Sequence, residues 1–165
     1  MFNKITIIGC GLIGSSLLRA INKKKLSKQV NAFDKSKEAS LFIKNNLSVN
    51  VCNDIHESVK DSDLVIISTP LSSYKEILLS IKSSLKKNVI LTDTGSAKKE
   101  VNKIISNLNL QDVCWIASHP IAGTEYSGPE TGFAELFENR WCILSAEDQK
   151  QKEKLEILKN FWEAI

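Results

Sequence analysis

The sequence predicts an α/β fold in which a doubly wound, mostly parallel sheet carries helices on both faces. Three observations predict it. A β-branched run, Ile5-Thr6-Ile7-Ile8, passes through Gly9-Cys10-Gly11-Leu12-Ile13-Gly14 into Leu17, Leu18 and Ile21 at helical spacing. A second strand, Val30 to Phe33, ends on an acid, Asp34, 20 residues after Gly14. Strand-like and helix-like segments then alternate along the chain, as in parallel strands joined by crossover helices.

The first unit is strand, glycine turn, helix. Its β-branched run suits a strand buried on both faces. Gly9 permits the tight turn, Gly11 lets backbone approach a pyrophosphate, and Gly14 lets the helix lie close to the strand. Leu12 and Ile13 open the helix, whose unpaired N–H groups and positive dipole end face the phosphates. Asp34 stands where a carboxylate accepts hydrogen bonds from an adenosine ribose. Its other reading is an N-cap for a helix over Lys37 to Asn45. With its strands and glycines, the segment reads as a Rossmann-type domain, with Gly9, Gly11, Leu12, Ile13, Gly14 and Asp34 at a dinucleotide.

The remaining elements follow in order. A short strand near Val49 to Cys52 precedes a helical turn, Ile55 to Lys60, where His56 reads as a surface residue. Leu64 to Ser68 is a buried strand stopped by Thr69-Pro70. In a doubly wound sheet that is the ligand edge, so Ser68, Thr69 and Pro70 join the cofactor set. Tyr74, Ile77, Leu78, Ile81 and Leu85 mark one helix face. Val89 to Leu91 begins a strand running into Asp93-Thr94-Gly95-Ser96-Ala97-Lys98, with Thr94 and Gly95 also placed at the cofactor. Ser96 is either the N-cap of the next helix (Val101, Ile104, Ile105, Leu108) or a functional hydroxyl. A single strand, Val113 to Ser118, leads into His119-Pro120-Ile121-Ala122-Gly123-Thr124-Glu125-Tyr126-Ser127-Gly128-Pro129-Glu130. A short helix over Gly132 to Glu138, a strand near Trp141 to Ser145 and a helix from Asp148 complete the reading. The last helix carries Leu155, Leu158, Trp162 and Ile165, which either pack back on the sheet or lead into something more.

Composition sets bounds. At 165 residues, 42% apolar and 25% charged, the chain is one ordinary globular domain. A net charge of +3 is too small and dispersed to argue for nucleic acid, and Lys23-Lys24-Lys25 suits a helix C-terminus. The four cysteines, Cys10, Cys52, Cys114 and Cys142, form no CxxC, so neither zinc nor disulfides are expected and no metal site is assigned. No apolar run has the length of a membrane span, and the N-terminus lacks a signal-peptide pattern. A cytoplasmic location is expected.

The loops Gly9–Gly14, Asp93–Lys98 and His119–Gly128 should meet at the carboxyl edge of the sheet. There a neutral histidine can take a hydroxyl proton as hydride leaves the same carbon. A serine hydroxyl can orient that histidine or the substrate oxygen. The blander reading of His119 is a strand-end residue bonding loop backbone.

GCGLIGSS, DTGSAK and HPIAGTEYSG, in this order and spacing, resemble the prephenate and arogenate dehydrogenases of tyrosine biosynthesis, whose N-terminal cofactor domain spans about Ile5 to Ser145 here. Thr94 and Ala97 are variants at positions that differ among relatives. The resemblance implies oxidative decarboxylation of a cyclohexadienol, with hydride passing to NAD(P). His119 would be the base and Ser96 its support, both touching substrate, while Thr124, Glu125 and Ser127 would shape the substrate mouth. It also implies residues 1–147 as the cofactor domain, and 148–165 as a helix leading into a dimerisation domain that supplies a carboxylate-binding arginine. Arg19 and Arg140, the two arginines here, lie in no loop assigned to substrate. A homodimer is thus expected of the longer protein, and this chain alone should bind cofactor yet turn over weakly or not at all. Asp34 favours NAD by repelling a 2′-phosphate, while Lys35 and Lys37 leave NADP open. Two other readings stand: a hydroxyacid or imino-acid dehydrogenase, and a non-catalytic NAD-binding module.

Overall fold

The computed structural model describes residues 2–108, 110, 112–146 and 151–165. Six parallel strands, β1 (Phe2–Ile8), β2 (Ser27–Phe33), β3 (Asn50–Val51), β4 (Leu64–Ile67), β5 (Val89–Asp93) and β6 (Val113–Trp115), form one sheet in the order β3-β2-β1-β4-β5-β6. Six helices accompany them among the described residues: α1 (Leu12–Lys24), α2 (Lys37–Asn46), α3 (Ile55–Val59), α4 (Tyr74–Ile81), α5 (Lys98–Leu108) and α6 (Lys152–Ala164).

Successive strand residues point to opposite faces, so each buried strand feeds two cores. Ile5, Ile7, Leu64, Ile66 and Ile90 pack with α1, α2 and α6. Ile8, Val65, Ile67, Val89 and Leu91 pack with α4 and α5. The chain doubles back at β1, which pairs with β2 on one side and β4 on the other. Ile8 lies beside both Phe33 and Ile67, and Ile67 beside Asp93. That register brings Gly9, Asp34, Ser68 and Thr94, each next in sequence, to one edge.

Gly14 fixes how α1 leaves this edge. A Cβ there would fall 1.8 Å from the Gly9 carbonyl oxygen, so the helix could not keep its position. Gly14→Ala should cost about 1–3 kcal/mol in a urea melt and weaken dinucleotide binding in the same sample. An unchanged midpoint would show that the helix yields freely.

Four expectations are corrected. The run from Val113 to Ser118 is not one strand. The Ile116 N–H makes a last bond to the Leu91 carbonyl at 3.0 Å, and the chain then turns away. It continues as β7 (Ala117–Pro120), paired antiparallel with β8 (Cys142–Ser145) in a separate two-stranded sheet. His119 therefore sits inside β7, opposite Ile143, and not at a strand end. Gly132 to Glu138 is no helix: after a 3-10 turn at Pro129–Thr131 come turns closed by i+3 bonds, Phe133 to Leu136 and Glu135 to Glu138. Burial of Leu136 and Phe137 in the α1 core, where α6 also packs, outweighs helix formation there. α4 ends at Ile81, leaving Leu85 to pack from a loop, and Cys52 lies just beyond β3. The predicted helix start at Asp148 lies outside the described residues. Its apolar stripe packs back, with Leu158, Phe161 and Ile165 buried and Trp162 edge-on to Phe137 at 5.7 Å.

Candidate active site

The glycine turn builds one half of the site. Gly9 has φ +92°, and a Cβ on it would meet the Ser68 carbonyl oxygen at 2.7 Å. Gly11 caps α1 with no side-chain bond and no acid follows in the first turn, so the first N–H groups stay free for an anion. Nothing lies within 4 Å of a Cβ built on Gly11. Gly9, Gly11, Asp34, Ser68, Thr69 and Pro70 line a cleft of about 390 Å³. Leu12 and Ile13 open α1 half-buried, and Thr94 Oγ1 donates to Ser68 Oγ at 3.3 Å.

Asp34 is held rigidly. Its Oδ2 accepts from the Cys10 N–H at 2.6 Å and its Oδ1 from the Ser36 N–H at 2.8 Å. It does not cap α2; Ser36 does, accepting from the Ala39 N–H at 3.2 Å. An uncapped helix N-terminus, an open glycine and an oriented carboxylate on one cleft fit a dinucleotide.

Asp93 builds the other half. It is fully buried at the end of β5, and both its oxygens accept from Lys98 Nζ at 2.6 Å. Oδ2 also accepts from the Gly95 N–H at 3.1 Å and the Tyr74 hydroxyl at 3.3 Å. Oδ1 accepts from the Ser118 N–H at 3.3 Å, while Ser118 Oγ donates to the Asp93 carbonyl at 2.5 Å. One carboxylate thus ties the Ser96 loop to the strand carrying His119. Burial pulls the Lys98 ammonium below its ordinary range, with Asp93 opposing that fall. Burial first, and Asp93 next, push the Tyr74 phenol far up, so it stays protonated and donates to Asp93.

His119 is half-buried and Ser96 exposed. No direct hydrogen bond joins them, and the Ser96 hydroxyl bonds nothing among the described residues, so it caps no helix. Thr124, Glu125 and Ser127 are exposed on the following loop, where Thr124 Oγ1 accepts from the Tyr126 N–H at 3.2 Å. Thr124 lines a second hollow of about 430 Å³ together with Ile121, Phe133 and Arg140. Arg140 lies outside the loop assigned to substrate but borders the same hollow. Burial pushes the thiols of Cys10 and Cys142 up to about 12, so neither is a nucleophile. Among the described residues no cluster of three or more metal-ligating side chains forms.

Sequence reasoning missed the junction at Asp93. A signal was present: an acid ending a buried strand, answered by a lysine at the start of the next helix. Arg19 was also set aside, yet its guanidinium bonds the backbone that follows the His119 loop.

Comparison with known proteins agrees with this geometry. Residues 17–165 match the family described as "Prephenate dehydrogenase, nucleotide-binding domain". The chain is 37% identical over 170 residues to a cyclohexadienyl dehydrogenase of Zymomonas mobilis, covering 100% of this chain and 56% of that protein. It is 31% identical over 154 residues to a prephenate dehydrogenase of Lactococcus lactis, covering 92% of this chain and 43% of that protein. It superposes on a crystal structure of prephenate dehydrogenase from Aquifex aeolicus with a TM-score of 0.83 at 26% identity, covering 97% of this chain and 58% of the other. The chain spans about half the length of the curated relatives it matches. These matches establish that the chain belongs to the prephenate dehydrogenase family, as its nucleotide-binding domain.

Proposed function

We propose that the protein containing this chain oxidatively decarboxylates prephenate or arogenate, with hydride transfer to NAD, in tyrosine biosynthesis. The observation that supports this reading best is the Asp93 junction, which ties the loop ahead of Ser96 to the strand of His119 at the end of β5. When bound, the nicotinamide supplies the hydride acceptor. His119 takes the proton of the ring hydroxyl as hydride leaves the same carbon, and the ring carboxylate departs as carbon dioxide. The electron pair of the broken C–C bond completes an aromatic ring. Ser96 orients the hydroxyl, while Thr124, Glu125 and Ser127 shape the mouth.

Asp34 supports NAD over NADP, because its fixed carboxylate suits a free ribose diol and repels a 2′-phosphate. Residues 1–147 act as the cofactor domain, and 148–165 lead into a helical domain that dimerises and supplies a carboxylate-binding arginine. The relatives' greater length supports that division. A cytoplasmic location fits a biosynthetic enzyme; among the described residues no helix is long and apolar enough to cross a membrane.

Steady-state assays of the full-length protein, with prephenate and arogenate against NAD and NADP, test this. Turnover of at least one substrate is expected, with NAD preferred by tenfold or more. The 165-residue chain alone should bind NAD without appreciable turnover. A full-length protein that binds NAD yet turns over neither substrate would overturn the assignment and favour a non-catalytic module.

A further inference from the structure

Arg19 stands on α1, the helix that opens at the dinucleotide, and its side chain reaches the segment that follows the His119 loop. Its Nε donates to the Gly132 carbonyl at 2.8 Å and its Nη2 to the Pro129 carbonyl at 3.3 Å. No carboxylate pairs with it among the described residues, and its Nη1 is buried with no protein acceptor there. Burial pulls its pKa below the ordinary arginine value. An arginine partly withdrawn from water and bonded only to backbone carbonyls is being used for its planar fork, not for charge pairing.

The rest of the same helix face makes the same attachment. Ser16 Oγ accepts from the Phe133 N–H at 3.1 Å. Lys23 and Lys24 pair with Glu135 and Glu138 on the turns that follow. Gly132 lies so close to α1 that a Cβ would meet Ser15 Oγ at 2.1 Å and the Ser16 N at 3.0 Å. Its φ of −72° suits any residue, so this glycine answers to proximity alone. The loop from Ile121 to Gly128 therefore has two fixed ends. One is β7, where the Ile121 N–H bonds the Trp141 carbonyl at 2.7 Å; the other is Pro129–Phe133 on α1. Between them, Thr124, Glu125, Tyr126 and Ser127 are all exposed.

We infer that Arg19 is a positioning residue for the substrate-side loop: its fork clamps Pro129 and Gly132 onto the cofactor helix and so fixes where Thr124, Glu125 and Ser127 stand. This rests on the dehydrogenase reading for its kinetic consequence, though not for its structural one. Loss of the fork frees the loop's far end while leaving the glycine turn and Asp34 in place. Substrate binding should suffer and dinucleotide binding should not.

The test uses the full-length protein with Arg19→Ala, Arg19→Lys and Gly132→Ala. Arg19→Ala should raise KM for the cyclohexadienol at least tenfold while the NAD Kd changes by less than twofold. Chymotryptic cleavage after Tyr126 should accelerate at least tenfold. Arg19→Lys should recover part of both effects, since an ammonium reaches one carbonyl but lacks the fork. Gly132→Ala keeps the arginine but lifts the segment from α1, and should match Arg19→Ala. Equal weakening of NAD and substrate binding in Arg19→Ala would overturn the inference in favour of a general defect in α1. Cleavage and KM within twofold of the unaltered protein would also overturn it. If the unaltered protein turns over neither substrate, the functional reading fails, whereas the rate of cleavage at Tyr126 still decides the anchor.

Discussion

Replacing His119 with asparagine in the full-length protein is expected to lower kcat by about a hundredfold to ten-thousandfold, the usual contribution of a positioned base. Asparagine keeps a hydrogen-bonding tip of similar reach but cannot accept a proton. KM should therefore move little, which separates loss of chemistry from loss of binding. The fold should tolerate the change, because His119 is half-buried and its strand is held by Ser118 and the β8 pairing rather than by the imidazole. A variant with the parent melting curve and a kcat within threefold of the parent would remove His119 from the mechanism. A variant that melts early would be assayed below its melting temperature, where the same kcat threshold decides.

The central sheet was legible because its strands are buried on both faces and their sequences say little else. Ile5 to Ile8 and Leu64 to Ile67 are continuous β-branched or leucine runs, and each ends where a glycine or proline forbids more ladder. The dinucleotide half was legible for a related reason, since the close contacts at Gly9 and Gly14 admit no side chain. The second half was harder. From Trp115 to Ser118 burial runs on unbroken, while hydrogen-bonding partners change at Ile116. Hydropathy reports burial but not which strand provides the partner. The turns at Gly132 to Glu138 carry good helix formers, Ala134, Glu135 and Leu136, yet tertiary anchoring to α1 decides their conformation. Arg19 acts through backbone carbonyls distant in sequence, which leave no local pattern, whereas Asp93 left one partial signal in Lys98 at the start of the next helix.

The second large effect belongs to Asp93. An asparagine there has nearly the same shape but only one acceptor oxygen, whereas the carboxylate serves five hydrogen bonds. If that oxygen faces Gly95 and Tyr74, the Ser118 N–H meets an amide NH₂; if it faces Ser118, Gly95 and Tyr74 lose their acceptor. In either arrangement Lys98 loses its counter-ion. Removing one member of a buried pair costs about 3–5 kcal/mol, and Lys98, with 24% of its side chain exposed, can recover part of that from water. Asp93→Asn should therefore cost about 2–3 kcal/mol in urea melts. Because the lost bonds join the Ser96 loop to the strand of His119, kcat should fall in molecules that remain folded. Lys98→Met added to Asp93→Asn should return part of the stability, since the stranded charge is gone, but none of the rate. The rate depends on the Ser118 and Gly95 bonds, which the double variant still lacks. Stability within 0.5 kcal/mol of the parent, the ordinary range for a surface substitution, would show that Asp93 does not bear the pair. Recovery of rate along with stability would show that the ion pair, not the junction, is what catalysis needs.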